Sequence, residues 1–179
     1  MTKKEKSSQT DPKIRRQRQV LFGGGLFLLG LLLIISFVSY SLNWKEDYSS
    51  LESFFDRSVP AKNILSKVGA LVSHLFIYQG VGFASLLFPY LLCLSGFKLF
   101  FDRNTEKILS NWSWGISHII WLTIFLGYLF PSDPIYCGIV GYELNLFLKT
   151  YVGEIGVLAI LIFLFMCFVV IQLKWTPEN

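Results

Sequence analysis

From Val20 to Leu42 the chain carries no charged residue, and the pattern recurs three times. Gly80–Phe101 holds only Lys98 near its end, Asn111–Phe130 holds none, and Gly153–Leu173 holds only Glu154 at its mouth. A helix rises about 1.5 Å per residue, so about twenty apolar residues cross the roughly 30 Å of hydrocarbon in a bilayer. In lipid an unpaired backbone group costs several kcal/mol, so runs this long and non-alternating are economical only as helices. The expected fold is an all-α membrane protein with four transmembrane helices, at about 20–42, 80–101, 111–130 and 153–173.

Composition removes the other classes. The chain is 53% hydrophobic, 17% aromatic and only 16% charged, whereas soluble domains run to about 25% charged. Disordered chains are poor in aliphatic and aromatic residues, so only the basic arm at 1–19 is expected to lack packed structure. Three cysteines in 179 residues do not make a disulfide scaffold. The first run follows a basic start and contains Ser39 and Ser41, as a signal peptide would. It is longer than the roughly 7–15 residues of a signal core, so an uncleaved anchor is expected.

Orientation follows from the Lys/Arg count in the short flanks. Four spans put both termini on one side. That side holds eleven Lys/Arg, seven of them within the first eighteen residues, with Lys98, Arg103, Lys107 and Lys174. The other side holds five: Lys45, Arg57, Lys62, Lys67 and Lys149. Both termini are therefore expected in the cytoplasm, with the loop Asp102–Ser110 beside them and 43–79 and 131–152 outside. Trp44, Trp112, Trp114 and Trp175 flank the spans, where indoles prefer the headgroup boundary. Trp121 lies deeper and is expected to pack against a neighbouring helix or lipid.

The external segments carry a helical period, which predicts two short interfacial helices on the outer side. Within Lys62–Tyr78, Ile64, Leu65, Val68, Leu71, Val72, Leu75 and Phe76 form one face. Lys62, Asn63, Ser66, Lys67, Ser73 and His74 form the opposite one. Pro60 suits the first turn of such a helix. The apolar face is expected to point into lipid or the bundle, and the polar face into water. Val140, Leu144, Phe147, Leu148 and Tyr151 repeat the pattern. The first segment enters its span through Gly80-Val-Gly82 and the second through Gly153-Glu-Ile-Gly156. That echo reads as a weak internal duplication (span, interfacial helix, glycine hinge, span), although Leu/Phe/Gly-rich stretches also resemble one another by chance.

No chemistry-bearing constellation emerges. There is no G-x-x-x-x-G-K-[ST] loop, and Gly23, Gly24, Gly25 and Gly30 read as small residues that let helices approach closely. His74 and His118 fall on opposite sides of the membrane, and Cys93, Cys137 and Cys167 have no C-x-x-C spacing. No catalytic, cofactor or metal residue is assigned. The polar groups available for transport are Ser36, Ser85, Ser95, Thr123, His118 and Glu154, and Pro89 is expected to kink the second span. The basic arm reads first as the positive-inside signal, with anionic lipid as an alternative target.

The arrangement resembles the N-terminal four-helix membrane domain of the FtsK/SpoIIIE DNA translocase family. The resemblance rests on Ile35–Ser41, on Asn63–Phe76, on Gly82–Gly96 with Ser85 and Pro89 inside it, and on Gly153–Gly156, and extends over about 15–175. It implies an anchor at the division septum of the bacterial inner membrane, acting in cell division and chromosome segregation. Its partners would be the bilayer, division-site membrane proteins and further copies of itself, six if a motor follows. ATP, magnesium and DNA would be handled only by a following motor domain. The sequence ends with the tail 176–179, and no catalytic residue of that motor has a counterpart here, so the chain is expected not to be an enzyme. The competing expectation is a small four-helix carrier or channel subunit, which dense intramembrane polar residues would favour.

Overall fold

A computed structural model describes residues 11–173. Residues 1–10 of the basic arm, Lys174, Trp175 and the tail 176–179 lie outside the described residues. Helix α1 is Pro12–Glu52, α2 is Ser66–Ser73, α3 is Leu87–Phe101, α4 is Ile108–Leu129 and α5 is Pro134–Leu173. Four helical stretches are long and apolar enough to cross a membrane, and the described residues contain no strand. The described termini lie at one end of the bundle with the α3–α4 connection (the terminal end). Residues 43–65 and 130–133 lie at the other (the loop end).

Helix α1 starts inside the basic arm. Asp11 caps it by accepting from the Lys13 N–H at 3.0 Å, and Pro12 occupies the first turn, where its missing N–H costs nothing. At Asn43 the backbone leaves helical geometry (φ −128°, ψ 26°). The Asn43 side chain donates to the Ser39 carbonyl at 3.1 Å, an alternative to the helical ladder that bends such helices. Beyond the bend, 44–52 forms a short cap of the loop end.

Helices α1 and α3 pair along a seam of small residues. A Cβ on Gly23 would lie 2.6 Å from the Phe100 nitrogen, one on Gly30 2.9 Å from the Pro89 carbonyl, and one on Gly96 2.5 Å from the Phe27 nitrogen. Lipid is as apolar as leucine, so close backbone approach rather than apolar burial holds such a pair together. Gly24 meets its nearest neighbour only at 3.6 Å and Gly25 meets nothing, so the seam uses two of the four glycines in the first span.

The second span is not one uninterrupted α-helix. Helix α2 continues as a π-helical stretch, His74–Val81, then turns at Gly80 (φ −86°, ψ −123°) and Gly82 (φ 64°, ψ −144°). Gly82–Leu86 is 3₁₀, and α-helix resumes only at Leu87. Pro89 therefore sits in the first turn of α3 and does not kink a span, contrary to the sequence expectation. The break is at the glycines instead.

The second external segment is the first part of α5. That helix is broken at Gly138 (φ 68°) and Gly153 (φ 74°), and the latter hinge leads into the fourth apolar run. The two halves thus share a hinge glycine of left-handed φ, Gly82 and Gly153. Their packing differs: a Cβ on Gly82 would collide with the Tyr136 backbone, whereas one on Gly153 would meet nothing within 4 Å.

Candidate functional site

The densest side-chain chemistry lies where α1 meets α2. Ser36, Tyr40, Asn43, Asp47 and Ser50 repeat at intervals of four and three on α1, a polar stripe along one face. Asn63, at the entry to α2, inserts into it. Its Nδ2 donates to the Ser36 carbonyl at 2.9 Å. Its Oδ1 accepts from the Ser36 hydroxyl at 3.2 Å and from the Leu65 N–H at 3.0 Å. Ser73 shares a hydrogen bond with Ser36 at 2.9 Å, and Ser39 Oγ accepts from the Ile64 N–H at 3.0 Å. Asp47 Oδ1 accepts from the Asn63 N–H at 2.9 Å. The other oxygen of this fully buried carboxylate has no partner among the described residues.

One turn further along, Tyr40 and His74 Nδ1 share a hydrogen bond at 2.9 Å. The imidazole stacks on Tyr78 at 5.0 Å and meets Tyr48 at 5.4 Å. Lys67 reaches back to the end of α1, where its ammonium donates to the carbonyls of Ser53 at 2.7 Å, Phe54 at 3.0 Å and Asp56. Those carbonyls follow directly on the end of α1, the negative end of its dipole, where a cation is favoured. Asp56 accepts from the Ser58 hydroxyl at 2.7 Å and N–H at 2.9 Å, which holds its carboxyl below the usual range.

This geometry overturns half of one sequence expectation: the apolar face points outward, as it would into lipid, but the polar face does not point into water. The face of the 62–78 helix that packs inward is the polar and small one: Asn63, Gly69, Ala70, Ser73 and His74 are buried, joined by Ile77. The face that looks outward is apolar, with Ile64 72% and Val68 66% exposed. Lys62 and Ser66 keep the exposed positions expected of their face, while Lys67 is half-buried. The second segment does the same. Asn145 is buried and donates to the Ile124 carbonyl at 3.0 Å, while Phe147 and Tyr151 point away. In lipid an outward apolar face is the satisfied one, and polar groups must find each other inside.

A second convergence surrounds the Gly80–Gly82 break. Thr123 of α4, fully buried, donates to the Val81 carbonyl at 3.1 Å. Cβ atoms added at Gly82 or Gly138 would run into the backbone of Tyr136 and Gly80 respectively, so these two stretches lie backbone on backbone. Irregular backbone at membrane depth is tolerated only when protein covers it and supplies donors. Thr123 and the glycine contact do both.

The remaining sequence candidates are dispersed. His118 hydrogen-bonds the Trp114 carbonyl at 2.7 Å and stacks on Phe168 at 4.6 Å. Ser95 accepts from the Trp112 indole at 2.9 Å. The Trp121 indole donates to the Leu161 carbonyl at 3.0 Å, so this residue packs against α5. Ser85 Oγ is buried without a partner among the described residues, and Glu154 pairs with Lys149 at 3.2 Å on the surface. Cys93, Cys137 and Cys167 are free, with Cys137 buried. The described residues hold no group of three His, Cys, Asp or Glu placed to share a metal ion.

Among the aromatics of the external segments, Phe55 is 94%, Tyr142 45% and Tyr48 42% exposed. Tyr136 is instead held between Phe130 at 4.6 Å and Phe83 at 5.1 Å, and the exposed Tyr48 also leans on His74 and Tyr78. The sequence reading missed Ser39, Asp47 and Lys67 as structural residues. The four-and-three spacing of polar residues running out of an apolar span was the available signal for Asp47.

Comparison with curated proteins and with solved structures returns no match. A family described as the 4TM region of DNA translocase FtsK/SpoIIIE matches residues 15–176. That stretch takes in both pairs of apolar helices, the polar clasp of α1 on α2 and the glycine junction between them, and the chain belongs to this family.

Proposed function

We propose that this chain is the membrane-anchoring and septum-targeting unit of an FtsK-type DNA translocase, acting in cell division and chromosome segregation without an ATPase of its own. The observation that carries the reading is the family match over residues 15–176. Both termini are cytoplasmic in this reading, which the eleven-to-five Lys/Arg asymmetry supports. The partners are division-site membrane proteins and further copies of the chain. They dock on the loop end, where Phe55 and Tyr142 stand exposed and aromatics are enriched at interfaces. The connection Asp102–Lys107 at the terminal end is too short to offer such a surface. Most of the buried polar groups where α1 meets α2 are spent on one another, which favours a role in folding over passage of a solute.

The test is localisation. The chain carrying a fluorescent protein after Asn179 concentrates at the division site of growing bacteria, and replacing Phe55 and Tyr142 with serine disperses it without loss of the protein. Uniform peripheral fluorescence from the intact, full-length fusion would overturn the septal reading.

A further inference from the structure

At the terminal end, α1 and α3 enclose an open cavity of about 340 Å³ lined by Arg15, Arg18, Gln19, Phe22 and Leu99. Its volume falls within the roughly 300–1,000 Å³ of small-molecule sites. The lining follows from the sequence. Residues 15, 18, 19 and 22 stand at i, i+3, i+4 and i+7, one stripe of a helix, cationic at one end and aromatic at the other. Arg16, between them, is already used. Its guanidinium donates to the Leu99 carbonyl at 3.1 Å and the Phe100 carbonyl at 2.8 Å, which ties the end of α3 to α1 and sets Leu99 as the second wall.

Arg15 and Arg18 have no such engagement. Among the described residues neither guanidinium makes a hydrogen bond or ion pair. Asp11, the nearest acidic residue along α1, is occupied by the Lys13 N–H as the cap. Below the cations the stripe continues through Phe22, Gly25 and Leu29. Phe22 is 64% exposed, and nothing lies within 4 Å of where a Cβ on Gly25 would be. An exposed apolar helix face therefore runs directly from a pair of guanidinium groups with no partner among the described residues into the span.

We propose that this cavity binds an anionic phospholipid. Arg15 and Arg18 would hold the headgroup phosphate through charge-assisted hydrogen bonds, with an acyl chain along Phe22, Gly25 and Leu29. Guanidinium is the group best matched to phosphate, because its planar fork presents paired donors and it is less strongly hydrated than ammonium. The dual character separates a lipid from free phosphate: the arginines serve either ligand, whereas the aromatic and the open face at Gly25 serve only one with a tail. The site does not depend on which side of the membrane the terminal end occupies, nor on the septal reading.

The experiment is native mass spectrometry of the full chain released from detergent, titrated with phosphatidylglycerol, phosphatidylcholine or inorganic phosphate. Phosphatidylglycerol stays bound in preference to phosphatidylcholine, and an equal concentration of inorganic phosphate does not displace it. Arg15→Gln and Arg18→Gln each weaken retention about fivefold, as expected for one cation near an anionic lipid. The charge-matched pair Lys45→Gln and Arg57→Gln, at the loop end, leaves it unchanged. Gly25→Leu places a bulky side chain on the face where the acyl chain would lie, without changing charge, and lowers retention as well. Both arginines are exposed and Gly25 faces open space, so these variants fold. Equal losses from the two charge pairs, no loss from Arg15→Gln and Arg18→Gln, indifference to Gly25→Leu, or displacement by free phosphate would each overturn the proposal.

Discussion

Asn63 makes four hydrogen bonds through its side chain and backbone N–H, to Ser36 twice, Leu65 and Asp47. Removing one member of a buried set leaves the others unsatisfied, at about 1–3 kcal/mol per orphaned group. Asn63→Ala is therefore expected to lower the thermal midpoint of the purified chain in detergent well below that of Lys62→Ala, whose partner Glu46 is a surface ion pair at 3.2 Å. Equal midpoints would show that the clasp contributes nothing. Lys67→Met tests the neighbouring contact. It keeps most of the stem and deletes the ammonium that gathers the Ser53 and Phe54 carbonyls just beyond α1, so proteolysis should appear selectively between Ser53 and Lys62.

Glycine sorts the helical elements by what surrounds it. At Gly82 a left-handed φ of 64° coincides with a backbone collision for any Cβ, so Gly82→Ala is expected to abolish stable folding. At Gly153 the backbone (φ 74°, ψ 172°) is one that essentially only glycine adopts, but the space is open, so alanine pays only the conformational cost, about 1–3 kcal/mol. Gly25 is helical and unhindered, and alanine there should be neutral or stabilising, by up to about 1 kcal/mol. Thermal midpoints ranked Gly82→Ala, Gly153→Ala, Gly25→Ala from lowest to highest are the expected outcome. Any other order would contradict the assigned hinge geometry. The inverted face of α2 has its own test. Ser73→Leu, inside the clasp, should destabilise by about 1–3 kcal/mol, whereas Val68→Leu, 66% exposed to the surroundings, should not.

For the whole molecule the open question is sidedness, and burial decides which residues can report it. Cys137 lies in the second external segment but is only 1% exposed, so it reports unfolding rather than topology. Phe55, 94% exposed, and Arg103, in the α3–α4 connection, are the informative positions. With both termini cytoplasmic, Phe55→Cys reacts with an impermeant maleimide in cells with a permeabilised outer membrane, and Arg103→Cys reacts only after lysis. The opposite labelling pattern would reverse the proposed orientation.

The number, type and approximate location of the helices were fixed by the sequence alone. Their causes are local: an uncharged run of sufficient length must satisfy its own backbone in lipid, and only a helix does that. The family resemblance was legible for the same reason, since it rested on contiguous stretches such as 63–76 and 82–96. The tertiary structure alone decided which face of each helix turns inward. In water an apolar stripe identifies the core, and that rule put Ser73, His74 and Asn63 outside. In a bilayer the surroundings are as apolar as any core, so the stripe carries no such information, and small and polar side chains go where they find partners. Ser36 with Ser73, Tyr40 with His74, and Gly82 against Tyr136 are pairings between distant parts of the chain. No one of those segments specifies its partner, because each pairing exists only once both helices are in place.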